Sequence, residues 1–100
     1  MSYDLADLAL VLEIAESGSL TAAAARVGLA PSSASARLAR LEAALNLRLF
    51  DRRARGLSPT VAGAQVVCHA RKIFHQLAKM QAELAMLETP SAQENRRRST

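Results

Sequence analysis

Apolar residues recur at helical spacing in four stretches of the chain, and the interruptions between them set the order of elements. From 4 to 17, Leu5, Leu8, Leu12 and Ala15 return every three or four positions, with Val11 and Ile14 widening the stripe. That pattern predicts an amphipathic helix, with its acids in the dipole-favoured first turn or facing outward, and Ser17-Gly18 stops it. Ser19 is placed as the N-cap of a short second helix, 20–27, whose inner face is Leu20, Ala23, Ala24 and Val27. The two alanines let another helix backbone approach closely. Gly28 suits the left-handed position just past a helix end. Pro31 stands where a first-turn proline sacrifices no needed N–H. Ala34, Leu38, Leu41 and Leu45 then form the buried stripe of a third helix, which Asn46 ends in a left-handed conformation.

The period changes after Asn46. Leu47-Arg48-Leu49-Phe50 alternates polar and apolar as a short strand does, Arg53-Ala54-Arg55-Gly56 reads as a turn, and Leu57-Ser58-Pro59 as the returning strand. Thr60 resembles the N-cap of a long helix over 60–88, about 43 Å at ~1.5 Å per residue and too long to pack wholly on so small a domain. Val66, Ala70, Ile73, Leu77, Met80, Leu84 and Leu87 are separated by 4, 3, 4, 3, 4, 3. An unbroken heptad seam of this kind predicts pairing with another helix, most simply in a second copy of the chain. Val61, Val67 and Phe74, on another face, are the expected contacts with the helix's own domain. The expected fold is all-α with a small β-wing: a winged helix-turn-helix over 1–59, a linker and dimerisation helix over 60–88, and a disordered tail or hinge over 89–100.

Composition narrows the chemistry. Half the residues are hydrophobic but only 3% are aromatic, so the core is built from many small contacts and benefits from a partner chain. One cysteine excludes a disulfide framework or a cysteine-rich zinc site. The opening MSYDLADL lacks the basic segment of a secretion signal, no apolar run reaches membrane-spanning length, and a cytoplasmic setting is the expectation. Cys68, His69 and His75 lie on one helix, but the histidines are six apart and share no face, so no metal is expected. No glycine-rich phosphate loop and no serine beside a base supports catalysis, and neither cofactor nor enzymatic activity is expected. The charge is asymmetric: residues 1–30 hold Asp4, Asp7, Glu13 and Glu16 against Arg26. Residues 31–75 hold Arg37, Arg40, Arg48, Arg52, Arg53, Arg55, Arg71 and Lys72 against Glu42 and Asp51. A basic middle after an acidic start points to a polyanion on one face.

Four pieces in order carry a resemblance: Ser19-Leu20-Thr21-Ala22-Ala23-Ala24, Leu41-Glu42, Leu49-Phe50-Asp51-Arg52 and Pro59-Thr60-Val61-Ala62-Gly63. Over about residues 4–88 the chain resembles the N-terminal DNA-binding region of LysR-type transcriptional regulators. The resemblance implies a winged helix-turn-helix on a long dimerising helix, interrupted inverted repeats in DNA as the target, and frequent tetramers. The chain departs from that pattern where Pro31-Ser32 replaces a common Gln-Pro pair, where Ala36 replaces a common basic residue, and where Asn46 replaces a usual glycine. Relatives continue into effector-binding lobes, so no small-molecule response is expected within these 100 residues.

In a helix-turn-helix the second helix brings its N-terminal residues to base edges in the major groove. That designates Ser32, Ser33, Ala36 and Arg37, with Arg37 the expected guanine reader and Ala36 able to pack on a thymine methyl. Arg40, one turn on, is expected at phosphate, as is Thr21 at the start of the preceding helix. Arg53 and Arg55 at the wing tip are expected at the backbone or minor groove, and Arg52 is expected to brace the wing by pairing with Glu42. The alternative is a non-catalytic dimerisation or adaptor module whose helix pair binds protein. Salt separates the two, because phosphate neutralisation makes affinity fall steeply with ionic strength.

Overall fold

The computed structural model describes residues 2–90; the tail expected over 89–100, with Arg96, Arg97 and Arg98, lies from position 91 onward outside the described residues. The elements run α1 (Leu5–Ser17), α2 (Leu20–Arg26), α3 (Pro31–Leu45), β1 (Phe50–Arg53), β2 (Gly56–Pro59) and α4 (Val61–Pro90).

Each helix end follows from its local chemistry. Asp4 and Asp7 form a reciprocal cap on α1: the Asp7 N–H donates to the Asp4 carboxylate at 3.2 Å, and the Asp4 N–H to Asp7 Oδ2 at 3.0 Å. Gly18 closes α1 at φ 70, where only glycine avoids a steric cost. The Ser19 hydroxyl accepts the Ala22 N–H at 3.1 Å and starts α2. Gly28, at φ 73, and Pro31, at the first position of α3, make the turn between the two helices as the sequence predicts. Asn46 ends α3 at φ 57.

α1 packs against α2, α3, α4 and β2, so it is the spine of the domain. Leu10, Val11, Ile14, Leu41, Leu49 and Phe50 are buried at its centre. Burying each large side chain contributes about 1.5–3 kcal/mol. Ala23, Ala24 and Ala34 are completely enclosed. Their small side chains let α1, α2 and α3 cross at close range, where larger groups would not fit.

The strand boundaries differ from expectation. Residues 47–49 are not a strand; the ribbon runs Phe50–Arg53 against Gly56–Pro59, antiparallel, with Phe50 opposite Pro59 and Arg53 opposite Gly56. The reason is tertiary. Leu49 is drawn into the core, its N–H donates to Glu42 Oε2 at 2.8 Å, and its carbonyl accepts from the Thr60 N–H at 2.9 Å. The carbonyl bond continues the ribbon's register, but Glu42 takes the Leu49 N–H and the facing chain turns into α4 at Val61, so the ladder goes no further.

Thr60 joins the wing to α4. Its hydroxyl donates to the Arg48 carbonyl at 2.6 Å and accepts the Gly63 N–H at 3.0 Å. Gly63 lies so close to the Leu49 carbonyl that a Cβ there would collide with it. α4 leaves the domain after its first turns, and the described chain is 59 Å long but only 24 and 23 Å across.

The face that α4 presents to its own domain also differs from expectation. Val67 is buried as predicted, but Val61 is 83% exposed. Val66 and Ala70, expected on the seam for a partner, pack inward instead, and Ala70 has no exposed surface. The cause is that α1 packs against α4, so Ala70 is covered within the chain and Val66 partly so.

Candidate nucleic-acid interface

The stripe Ala34, Leu38, Leu41 and Leu45 commits one side of α3 to the core. The opposite side is left to solvent, and it carries Ser32, Ser33, Ala36 and Arg40, all exposed. Apart from Arg40 this surface is made of short side chains. A backbone so lightly covered can be brought deep into a groove. Thr21, in the first turn of α2, is also exposed.

The wing stands beside this helix. A cleft between them is lined by Ser35 and Ala39 of α3 and by Phe50, Arg52 and Leu57 of the ribbon, with Glu42 and Arg48 at one end. Arg53 ends β1 and Arg55 lies in the two-residue turn; both are exposed. The ribbon is held at its base by a backbone contact. The Leu57 N–H donates to the Gly18 carbonyl at 2.9 Å, and Gly56, at φ 118, packs so closely on that carbonyl that any side chain would collide with it. The wing therefore takes its pitch from the end of α1.

One expected pairing is absent among the described residues, and one expected base reader has an acidic partner. Arg52 does not pair with Glu42 among the described residues; Glu42 instead accepts the Leu49 N–H and shapes the entry to the wing. Arg37, expected at base edges, is half-buried and turned toward α1, where its Nη1 lies 3.1 Å from Asp7 Oδ1. Its position on α3 puts it between the core stripe and the outward face, and the carboxylate draws it to the α1 side.

Asp7 is the residue that sequence reasoning missed. The expectation is for acids in the dipole-favoured first turn or facing outward; Asp7 is in the first turn but buried, with one oxygen on Arg37 and the other on the Asp4 N–H. The cap Asp4-x-x-Asp7 is visible in the sequence; the partner thirty residues later is not. Arg26 is also neutralised, by Glu13 at 3.0 Å and Glu16 at 3.9 Å, and ties α2 to α1 at the surface.

The expected seam beyond Ala70 is open. Ile73, Leu77, Met80, Leu84 and Leu87 are at least partly exposed, Leu84 at 54% and Leu87 at 74%. Ile73 also lines an apolar groove with Tyr3, Leu8, Leu45, Leu47 and Val66, so the apolar surface runs without a break from the domain onto the projecting helix. Among the described residues there is no group of side chains placed to hold a metal ion, and no helix long and apolar enough to cross a membrane.

Known proteins share this arrangement. The sequence model of the bacterial regulatory helix-turn-helix protein, lysR family, matches residues 5–64. The chain is 36% identical over 89 residues to the HTH-type transcriptional activator TtdR of Escherichia coli K12, a match covering 88% of this chain and 29% of that protein. It is 35% identical over 91 residues to the HTH-type transcriptional regulator CrgA of Neisseria meningitidis serogroup C, covering 90% of this chain and 30% of that protein. The chain thus spans about three-tenths of the length of these relatives. Among solved structures, the CbnR_DBD–DNA complex superimposes with a TM-score of 0.73 at 28% identity, covering 87% of this chain and 99% of that one. The helix pair, the wing and the long fourth helix are those of a winged helix-turn-helix, and the chain belongs to the lysR family of bacterial regulatory helix-turn-helix proteins.

Proposed function

We propose that this chain is the DNA-binding part of a transcriptional regulator, acting as a dimer on an interrupted palindromic site. The observation that carries the reading is the outward side of α3, where Ser32, Ser33, Ala36 and Arg40 are exposed and the arginine-bearing wing stands alongside. A helix with such small side chains enters the major groove deeply, and Arg40 is the cation on that side able to reach a phosphate or a guanine edge. Thr21 and the α2 amides meet the neighbouring phosphates, while Arg53 and Arg55 follow the backbone or enter the minor groove. The likeness to a domain solved on DNA supports this reading. Nothing in it requires catalysis.

Dimerisation follows from the open stripe Ile73, Leu77, Met80, Leu84 and Leu87, with a second copy as its occupant. The continuity of this stripe with the groove at Tyr3 and Leu47 supports a two-fold contact that includes both helix and domain. Two recognition helices at fixed separation then match a palindrome.

Selection of bound sites from random duplex DNA tests the reading. The expected result is a symmetric pair of half-sites, with log affinity falling linearly in log salt at about −0.9 per phosphate contacted. Recovery of no preferred sequence, with binding to a protein partner in its place, would favour the adaptor alternative.

A further inference from the structure

We propose that Asp7 is a positioning residue for DNA binding: it holds Arg37 at the flank of α3 as a fixed phosphate clamp, and does not merely neutralise it. The proposal rests on the DNA-binding reading above and adds to it a residue from α1, an element outside the helix-turn-helix pair.

The geometry around Asp7 is closed. Its carboxylate is held from one side by the Asp4 N–H at 3.0 Å and from the other by Arg37 at 3.1 Å. Its side chain is only 11% exposed, whereas that of Arg37 is 29% exposed. A guanidinium has five N–H donors in a rigid fork, and a carboxylate on one edge leaves others free for an anion. Here the buttressed guanidinium opens onto a polar cleft lined by Ser2, Tyr3, Asp4, Asp7, Arg37 and Arg40. Arg40, one turn further along α3, borders the same cleft and also belongs to the outward side of the helix. With α3 docked in the major groove as proposed, a DNA strand edging that groove would pass this flank. Reaching a base edge would require Arg37 to release Asp7 and leave a buried carboxylate unpaired, which is strongly unfavourable. Keeping the pair and taking a backbone phosphate involves no such loss. Arg37 thus contributes affinity and register, and sequence is read by the residues on the outward side.

Asp7→Asn separates positioning from charge. The substitution raises the net charge from +4 to +5. If Asp7 acts only through its charge, the variant binds a polyanion more tightly. If it holds Arg37 in place, the variant binds a mixed-sequence duplex about five- to tenfold more weakly despite the added positive charge, part of one charge-assisted contact having been lost. Fluorescence anisotropy at several salt concentrations reads the outcome for the wild type, Asp7→Asn, Arg37→Ala and the double variant. Arg37→Ala should lower the salt slope by about 0.9, weaken matched and scrambled duplexes by the same factor, and abolish any further effect of Asp7→Asn. Arg37→Lys, which keeps the charge but not the fork, should also weaken binding, and it decides the question if Asp7→Asn does not fold. Wild-type-like or tighter binding by Asp7→Asn, or by Arg37→Lys where that variant decides, overturns the proposal. So does an Asp7→Asn effect that persists without Arg37, or a selective loss of the matched site in Arg37→Ala. Absence of DNA binding by the wild type overturns instead the reading on which it rests.

Discussion

Single side chains in this protein have effects that their type alone does not foretell. Leu41 is 2% exposed in the middle of the core, and Leu41→Ala should cost about 2–5 kcal/mol in urea unfolding. The glycines divide by environment. Gly63→Ala drives a methyl into the Leu49 carbonyl and should cost about 1–3 kcal/mol, because backbone at the wing junction must move. Gly28→Ala meets no atom and bears only the left-handed strain, about 1–2 kcal/mol. Unfolding midpoints of the two variants check the contrast: Gly63→Ala should also disturb the wing, visible as weakened DNA binding, and Gly28→Ala should not. Local rules anticipated Gly18, Gly28, Pro31 and Asn46, since each serves a conformation decided by its immediate neighbours. They did not anticipate buried Asp7 or the Glu42 contact to Leu49, because in each the partner arrives through packing.

Helices were more legible than strands. The start of α2 and both ends of α3 agree with their capping signals, whereas the ribbon begins at Phe50 and not at Leu47. A helix closes its hydrogen bonds within itself; a strand depends on what lies across from it. Here Glu42 takes the Leu49 N–H, and the chain facing residues 47 and 48 has already turned into α4. The wing is consequently a short ribbon tied to Gly18 at its base and tipped by Arg55. Arg55→Ala should weaken binding to all duplexes by a similar factor and reduce the salt slope by about 0.9, as a backbone contact does. A change confined to one base position in the selected site would assign it to base reading instead.

For the assembled protein the decisive question is how α4 divides its surface. Ala70 is enclosed within its own chain, while Leu84 and Leu87 have no cover among the described residues. In the proposed dimer, Leu84→Asp should therefore leave the domain folded and shift sedimentation to monomer, with DNA affinity falling as the two half-sites lose their link. Ala70→Asp should unfold the domain itself, because it buries an unpaired carboxylate. Circular dichroism together with sedimentation distinguishes the two outcomes. Hydrophobic period and capping chemistry were sufficient to specify four helices, the turn at Gly28, the arginine-rich wing and the length of α4, because these depend on residues a few positions apart. Which side of α4 meets its own domain, where the ribbon begins, and that Arg37 answers to Asp7 were settled only when distant segments met. Those outcomes depend on shape and on burial of charge, which a linear pattern of apolar and polar positions does not contain.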